Sequence, residues 1–273
     1  MSQIMFDTKS LIKCKDKASK AWDKHNFIFI KFAEVFFEKL KETNLTFRNV
    51  LLISSDFNET YRKLLNLNFQ SLTYLSQYKS LLDKIYISKK NIFKKFIYLE
   101  NLERMKGNKK FDLIICSFNF HNINEKLNYS KNLNKLLSDD GVLFCNFFGE
   151  NSLFELRKSL IKADEKIFKG VFSRMPPTIK MMDASNIFSS AGFSEIVSET
   201  INYDIYYRNV QEILEDISGI GENSCLKYRK KSLFSRNYIK TLNNIYSNEF
   251  ANKDNLLKAS CNIISMTMWK KNQ

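Results

Sequence analysis

The sequence predicts one doubly wound α/β domain, in which helices cover both faces of a mostly parallel sheet. Short apolar runs alternate with stretches of helical spacing through the first half of the chain. No repeat, low-complexity tract or Pro/Gly-rich linker divides the 273 residues, a length that suits one large domain. Two further strand patterns follow late in the sequence. We therefore expect a seven-stranded sheet with helical insertions in the second half of the chain.

The first part of the chain is predicted to be helical, with one or two helices over about residues 9–42. Strands and helices then alternate, which favours a right-handed parallel sheet. The predicted strands lie at 50–54, 71–76, 96–99, 111–118 and 141–148. The helices predicted between them lie at about 58–68, 78–94 and 126–137.

Longer helical stretches follow Gly149, and 151–168 is the clearest of them. Two more strands are predicted, near 195–201 and at 261–269, and we expect the last one to run antiparallel to its neighbours. The predicted division has three parts: an N-terminal helical segment at 1–45, a cofactor-binding half at 46–150, and a substrate-facing half at 151–273.

The charge of the chain is strongly basic, with 43 Lys and Arg residues against 29 Asp and Glu residues and a net charge of +14. Such a charge is typical of proteins that bind nucleic acid or an anionic membrane. The lysines are spread along the chain, however, and the abundance of Lys, Asn, Ile and Phe is typical of an AT-rich genome. We therefore expect nucleic acid not to be a partner and membrane contact to be at most peripheral.

Five scattered cysteines without a CxxC pair, and only two histidines, predict free thiols and no metal site. No apolar run approaches the roughly 18 residues of a membrane span. The N-terminus also lacks the apolar core of a signal peptide. Together these features predict a bacterial cytoplasmic protein.

The loop after the first strand is where a doubly wound fold binds its cofactor, because glycines there let the backbone approach the ligand. Here the segment reads VLLISSDFNE, and the first glycine of the chain is Gly107. Ser54 and Asp56 stand where glycines are expected. Ser76, or Gln77 one residue on, replaces the acid expected to hold ribose hydroxyls. The degenerate pocket would be lined by Ile53, Ser54, Ser55, Asp56, Ser76, Ser117 and His121.

From Phe111 onward the strings GENSLFELR at 149–157 and GIGENS at 219–224 are distinctive. They resemble the family of the mitochondrial complex I assembly factor with arginine-hydroxylase activity and its alphaproteobacterial relatives. That family is a cousin of the malonyl-carrier-protein methyltransferase of biotin synthesis. The resemblance implies a class I, Rossmann-like methyltransferase fold over 46–273, with S-adenosylmethionine (SAM) as the cofactor. Because the glycine loop is absent, we expect SAM binding to be weak or lost.

The resemblance also implies where a substrate would bind. His121 and Arg157 are the candidate catalytic residues, and capping or packing is the alternative role for His121. Glu155 and Arg157 share the first turns of a helix, so an intrahelical ion pair is the alternative for them. Gly221 and Gly219 are expected to end a helix by left-handed capping. The substrate-facing positions are Glu155, Arg157, Arg174, Pro177, Glu222 and Asn223.

Three hypotheses for function follow. The first is a methyltransferase-fold pseudoenzyme that acts on or binds a protein partner, such as a complex I subunit, as an assembly-type factor. The second is an active SAM-dependent methyltransferase or arginine hydroxylase that modifies a protein. The third is a basic protein that binds RNA or a membrane surface without chemistry. The better match after Phe111 than before Leu99 favours the first.

Overall fold

The computed structural model describes residues 4–42, 46–83, 85, 93–229 and 234–270. Its seven strands are β1 Asn49–Ser54, β2 Ser71–Ser76, β3 Phe93–Tyr98, β4 Phe111–Ser117, β5 Leu137–Phe148, β6 Phe193–Tyr207 and β7 Leu257–Lys270. They form one sheet in the order β3-β2-β1-β4-β5-β7-β6. Strands β1 to β5 are parallel, and β7 runs antiparallel to both of its neighbours. The predicted seven-stranded, mostly parallel fold is therefore confirmed, with β4 and β5 adjacent and β7 reversed.

Helices cover the sheet and extend beyond it. They are α1 Thr8–Ala18, α2 Phe27–Glu42, α3 Glu59–Leu64, α4 Lys79–Asp83, α5 Lys126–Leu136, α6 Phe154–Phe168, α7 Met181–Ser190, α8 Val210–Gly219 and α9 Arg236–Phe250. The helix predicted over 78–94 is described only as α4, since 84 and 86–92 lie outside the described residues. Its predicted end was wrong, because β3 already begins at Phe93. None of the described helices has both the length and the apolar character to cross a bilayer.

The sheet has a separate apolar core on each face, because successive side chains of a strand point to opposite sides. Val50 and Leu52 of β1 lie in the core that α2 covers with Phe29, Phe32 and Phe36. Leu51 and Ile53 lie in the opposite core, under α5 and α7. Thus α2 shares a core with the central strands, while the division of the chain at residue 45 stays a prediction.

A third apolar cluster holds the helical insertions together. It joins α6, α8 and α9 to the start of β7, with Leu156, Ile213 and Leu242 among its buried members. Strand β6 is also longer than the predicted 195–201, and its pairing with β7 continues to Tyr207 opposite Leu257. These late elements form one wall of a cleft at the carboxyl edge of the sheet.

Candidate functional site

The loop after β1 is folded in on itself. Ser54, Ser55 and Asp56 are each only 1 % exposed. The next two residues, Phe57 and Asn58, have positive φ angles of 47° and 81°. Such angles suit glycine, and Asn tolerates them better than most other residues. The backbone therefore makes a glycine-like turn without glycine, and side chains fill the space beneath it.

Asp56 is the centre of this filled loop. Its carboxylate accepts hydrogen bonds from the hydroxyls of Ser54, Thr60 and Ser117, the last at 3.0 Å. The backbone N–H of Thr60 also donates to it at 3.3 Å. Burial raises the pKa of Asp56, and these hydrogen bonds offset only part of the rise. The carboxyl group thus points into the protein and ties β1, α3 and β4 together.

The end of β2 is closed in the same way. Ser76 is the last residue of β2, as predicted, and its hydroxyl accepts a 3.0 Å hydrogen bond from the backbone N–H of Tyr78. Tyr78 is buried and accepts a 2.7 Å hydrogen bond from the side chain of Gln77. Ile53 and Ser117 are fully buried in the neighbouring strands. The predicted cofactor positions on and after β1, β2 and β4 up to Ser117 are therefore closed from solvent, and His121 is the exception.

A cleft of about 130 Å³ lies beside this closed region. Its walls come from the turn before α2, the turn after β4, the start of α6, the loop at 175–178, β6, α8 and the start of β7. Most of the lining is apolar, with Phe148, Met175 and Ile217 as examples. Both histidines of the chain, His25 and His121, also line it.

His121 belongs to a network of charged groups in the cleft wall. Its Nε2 lies 3.1 Å from Glu222 Oε2, and the other carboxylate oxygen of Glu222 accepts a 2.6 Å hydrogen bond from Lys15 Nζ. Burial would raise the pKa of Glu222, but Lys15 and His121 outweigh it and hold this pKa at about 2. Glu222 is thus an ionised carboxylate that joins α1 to the turn after β4.

The other ring nitrogen of His121 has no protein partner. Nδ1 is buried and without a hydrogen bond in the described part of the chain. The Asn122 side-chain amide also lies 3.0 Å from Nε2, so a carboxylate and an amide both surround this nitrogen. Because a buried polar atom without a partner costs free energy, a ligand that forms a hydrogen bond with Nδ1 would be stabilised.

His25 forms a second histidine–carboxylate pair in the cleft lining. Its Nδ1 lies 2.5 Å from Asp216 Oδ1, and Asp216 Oδ2 accepts a 2.8 Å hydrogen bond from the Tyr207 hydroxyl. Burial raises the pKa of Tyr207, and Asp216 adds to the rise. Sequence reasoning missed this cluster because residues 25, 207 and 216 are distant in the chain. The rarity of histidine was the one available signal.

The two glycines expected to cap α8 have different roles. Gly221 has a φ of 69°, as left-handed capping requires. Gly219 lies inside the last turn of α8, and a Cβ atom there would stand 2.2 Å from the His25 ring. The expected cap at Gly219 was therefore wrong, because this glycine makes room for His25.

Two of the other predicted substrate-facing residues line the cleft. Pro177 is part of its wall, and Arg157 Nη2 donates a 2.7 Å hydrogen bond to the carbonyl of Pro176. That bond fixes the loop at 175–178 against α6. The intrahelical ion pair considered for Arg157 is not formed, because Glu155 accepts hydrogen bonds from Ser260 instead.

Three predicted substrate-facing residues lie away from the cleft, which corrects the prediction. Glu155 is fully buried against β7. Arg174 pairs with buried Asp164, and its guanidinium lies over Phe234 and Tyr238 at 5.0 and 4.6 Å. Asn223 Nδ2 donates to Ser218 Oγ at 3.3 Å. The sequence pattern did not reveal the partners that hold the Glu155 and Arg174 side chains. Among the described residues, no cluster of three or more His, Cys, Asp or Glu could hold a metal ion.

Comparison with known proteins gives curated relatives but no matching protein-family model. The chain is 28% identical over 160 residues to "Arginine-hydroxylase NDUFAF5, mitochondrial" of Rattus norvegicus, covering 59% of this chain and 46% of that protein. It thus spans about half the length of this relative. It is 35% identical over 160 residues to "Putative methyltransferase RP459" of Rickettsia prowazekii, covering 58% of this chain and 67% of that protein.

A third relative matches nearly end to end. "Malonyl-[acyl-carrier protein] O-methyltransferase 2" of Ilyobacter polytropus is 26% identical over 259 residues, which is 92% of this chain and 94% of that protein.

Two solved structures share the fold. A "putative methyltransferase" from Bacillus halodurans has a TM-score of 0.55 at 12% identity and covers 86% of this chain and 99% of its own. YcgJ from Bacillus subtilis has a TM-score of 0.54 at 11% identity and covers 92% of this chain and 100% of its own. The chain therefore belongs to the methyltransferase-fold family that contains the Rickettsia prowazekii protein, with arginine-hydroxylase and malonyl-carrier-protein methyltransferase relatives.

Proposed function

We propose that this chain is a methyltransferase-fold protein that has lost SAM binding at the usual position and that binds a protein partner through its cleft, as a complex I assembly-type factor. The closed loop after β1 carries this proposal. The side chains of Asp56 and its hydroxyl partners occupy the space beneath the turn where a cofactor would approach the backbone. The predicted substrate-facing half, 151–273, contributes most of the lining of an open cleft.

The residues at the usual cofactor position do not fit SAM. A ribose needs an acceptor at the end of β2, but the Ser76 hydroxyl is buried and already engaged with Tyr78. A methionine group would approach the turn after β1, where Ser54, Ser55 and Asp56 are closed from solvent. We therefore derive no chemical step that uses SAM in this chain.

The cleft suits a peptide segment of a partner. Its apolar lining would bury an apolar side chain, and the unpaired ring nitrogen of His121 would form a hydrogen bond with a polar group of the peptide. One curated relative, the malonyl-[acyl-carrier protein] O-methyltransferase, has a protein substrate in its name. A protein partner is thus the consistent choice, and a respiratory complex I subunit follows from the family resemblance.

The experiment is a binding measurement by biolayer interferometry with the immobilised chain and purified complex I subunits of the same organism. We expect one subunit to bind, with an affinity about 5- to 13-fold lower for His121→Ala, because a lost buried hydrogen bond is worth about 1–1.5 kcal/mol. Val35→Ala, on the exposed face of α2, is the matched control. Binding to no subunit, or equal binding by His121→Ala, would refute the proposal.

The second candidate is an active SAM-dependent methyltransferase or arginine hydroxylase, which the names of the relatives favour. The same subunit incubated with the chain and SAM distinguishes the two functions. Mass spectrometry should show an unmodified subunit if the chain only binds it. A gain of one methyl group or one oxygen atom that requires the chain would favour the enzyme.

A further inference from the structure

Cys14 and Cys225 are distant in sequence but in contact in the fold. Their Sγ atoms lie 3.7 Å apart, with Cys14 on α1 and Cys225 in the segment after α8. Two backbone hydrogen bonds hold these segments together, from Asp7 N to the Cys225 carbonyl and from Lys227 N to the Met5 carbonyl, both at 2.8 Å. The residues just before and at the start of α1 are thereby tied to the segment that carries Cys225.

The two thiols have opposite environments. Cys14 is partly exposed and lies near the cationic side chains of Arg229, Lys15 and Lys17, whereas Cys225 is buried. The hydrogen bond from Cys225, aided by these cations, lowers the pKa of Cys14 to about 6. The pKa of Cys225 is raised, mainly because its thiol donates that hydrogen bond to Cys14 and because it is buried. Nearby Glu222 raises this pKa further, and Arg229 lowers it. One sulfur is a reachable thiolate and the other a protected thiol beside it.

The remaining three cysteines are all buried. Cys116 and Cys145 also contact each other at paired positions of β4 and β5, but both are fully enclosed, and Cys261 is buried in β7. Burial raises the pKa of Cys145 and that of Cys261, the latter to about 12. Buried thiols with raised pKa values are inert toward oxidants. They serve as internal controls in the same molecule.

We propose that Cys14 and Cys225 form an oxidative modification site, at which a hydroperoxide converts the two adjacent thiols into a reversible disulfide. This inference rests on the geometry of the pair and is independent of the proposed partner. The sulfurs must approach by about 1.7 Å to reach the usual S–S bond length. The disulfide would tie α1, which carries Lys15, to the segment that carries Glu222, its partner in the cleft wall.

The reaction has two steps. The Cys14 thiolate attacks the terminal oxygen of the hydroperoxide, the O–O bond breaks, and the sulfur becomes a sulfenic acid while hydroxide or an alkoxide leaves, the alkoxide then taking a proton from water. The Cys225 sulfur then attacks the Cys14 sulfur, the S–O bond breaks, and the oxygen leaves as water with the Cys225 proton. The thiols lose two electrons to the peroxide. Oxidation of Cys14 also removes the hydrogen bond that most raises the pKa of Cys225.

The test treats the native chain at pH 7 with a small excess of hydrogen peroxide. Intact mass spectrometry should show a loss of about 2 Da that a thiol reductant reverses. Proteolysis without reduction should give one crosslinked peptide pair with Cys14 and Cys225. Cys261→Ser is the matched control variant and should lose the same mass. A Cys225→Ser variant should stop at a Cys14 sulfenic acid that a 1,3-dione traps.

A second readout needs no variant. Alkylation of Cys14 by iodoacetamide, followed by peptide mapping, should reach half its maximal rate near pH 6, in contrast to about pH 8.5 for an ordinary cysteine. Peroxide treatment that leaves both thiols free, overoxidises Cys14 without a crosslink, or links another pair would overturn the proposal.

Discussion

Asp56 is a buried carboxyl group held by three hydroxyls. Because burial raises its pKa in the folded state, the folded protein binds its proton more tightly than the unfolded chain. Stability contributed by this group is therefore present at low pH. It is lost as the pH rises from about 4, where an unfolded aspartate ionises, through the raised folded value.

Asp56→Asn should remove this pH dependence while keeping the shape of the side chain. We expect its free energy of unfolding, relative to the unsubstituted protein, to rise from pH 4 to pH 8 in urea titrations. Asp139→Asn is a suitable control. Lys270 lowers the pKa of exposed Asp139, so the relative free energy of unfolding of this variant should change with pH in the opposite direction. The relative free energy of unfolding of Asp56→Asn could instead fall from pH 4 to pH 8. That result would contradict a buried site that favours the neutral form of the Asp56 carboxyl group.

Glu222 shows the opposite behaviour. Its pKa of about 2 lies below the usual value, so its stabilising contribution is present above about pH 4.5 and is lost as the pH falls toward 2. Glu222→Gln leaves the buried Lys15 ammonium without its counter-charge. We expect a cost of about 3–5 kcal/mol at pH 7 by chemical denaturation, shrinking at acid pH. Glu249→Gln, in an exposed pair, should change little, and equal effects of the two variants would refute this role.

At the scale of elements, α2 is the main apolar cover of one face of the sheet. Phe32 is buried on that face, with its ring centroid 5.2 Å from that of Phe118 in an edge-to-face contact. Phe32→Ala should lower the free energy of unfolding by about 3–5 kcal/mol. Val35→Ala, on the exposed side of the same helix, should stay within about 0.5 kcal/mol. Similar effects of both would place α2 outside the cooperative core.

The central elements could be predicted from sequence because each strand is a short apolar run that ends at a polar residue. β1 and β4 follow this pattern closely. β6 could not be bounded in the same way, because it is an edge strand whose partly exposed residues alternate without a continuous apolar run. The missing glycines were visible at Ser54 and Asp56, and Ser117 was predicted in the same pocket, but the closure of the loop also depends on Thr60, which the sequence did not single out.

At the scale of the whole molecule, the closed loop after β1 and the cleft are two separate places in the fold. Strand ends β1, β2 and β4 meet at the closed loop around Asp56, while the late helices and β7 form the cleft. His121, after β4, is the one predicted cofactor residue that faces the cleft. Among the predicted substrate-facing residues, Arg174 does not line the cleft, since Asp164 and the aromatic rings around it hold this side chain in a separate cluster.

The most direct test of this account is calorimetric titration of the purified chain with SAM. The closed loop and the engaged Ser76 predict no saturable binding below about 100 µM, since a lost charged hydrogen bond to ribose alone costs about 1.5–3 kcal/mol, or one to two decades in affinity. A dissociation constant for SAM in the low micromolar range would contradict the account, because the loop around Asp56 would then have to open and admit the cofactor.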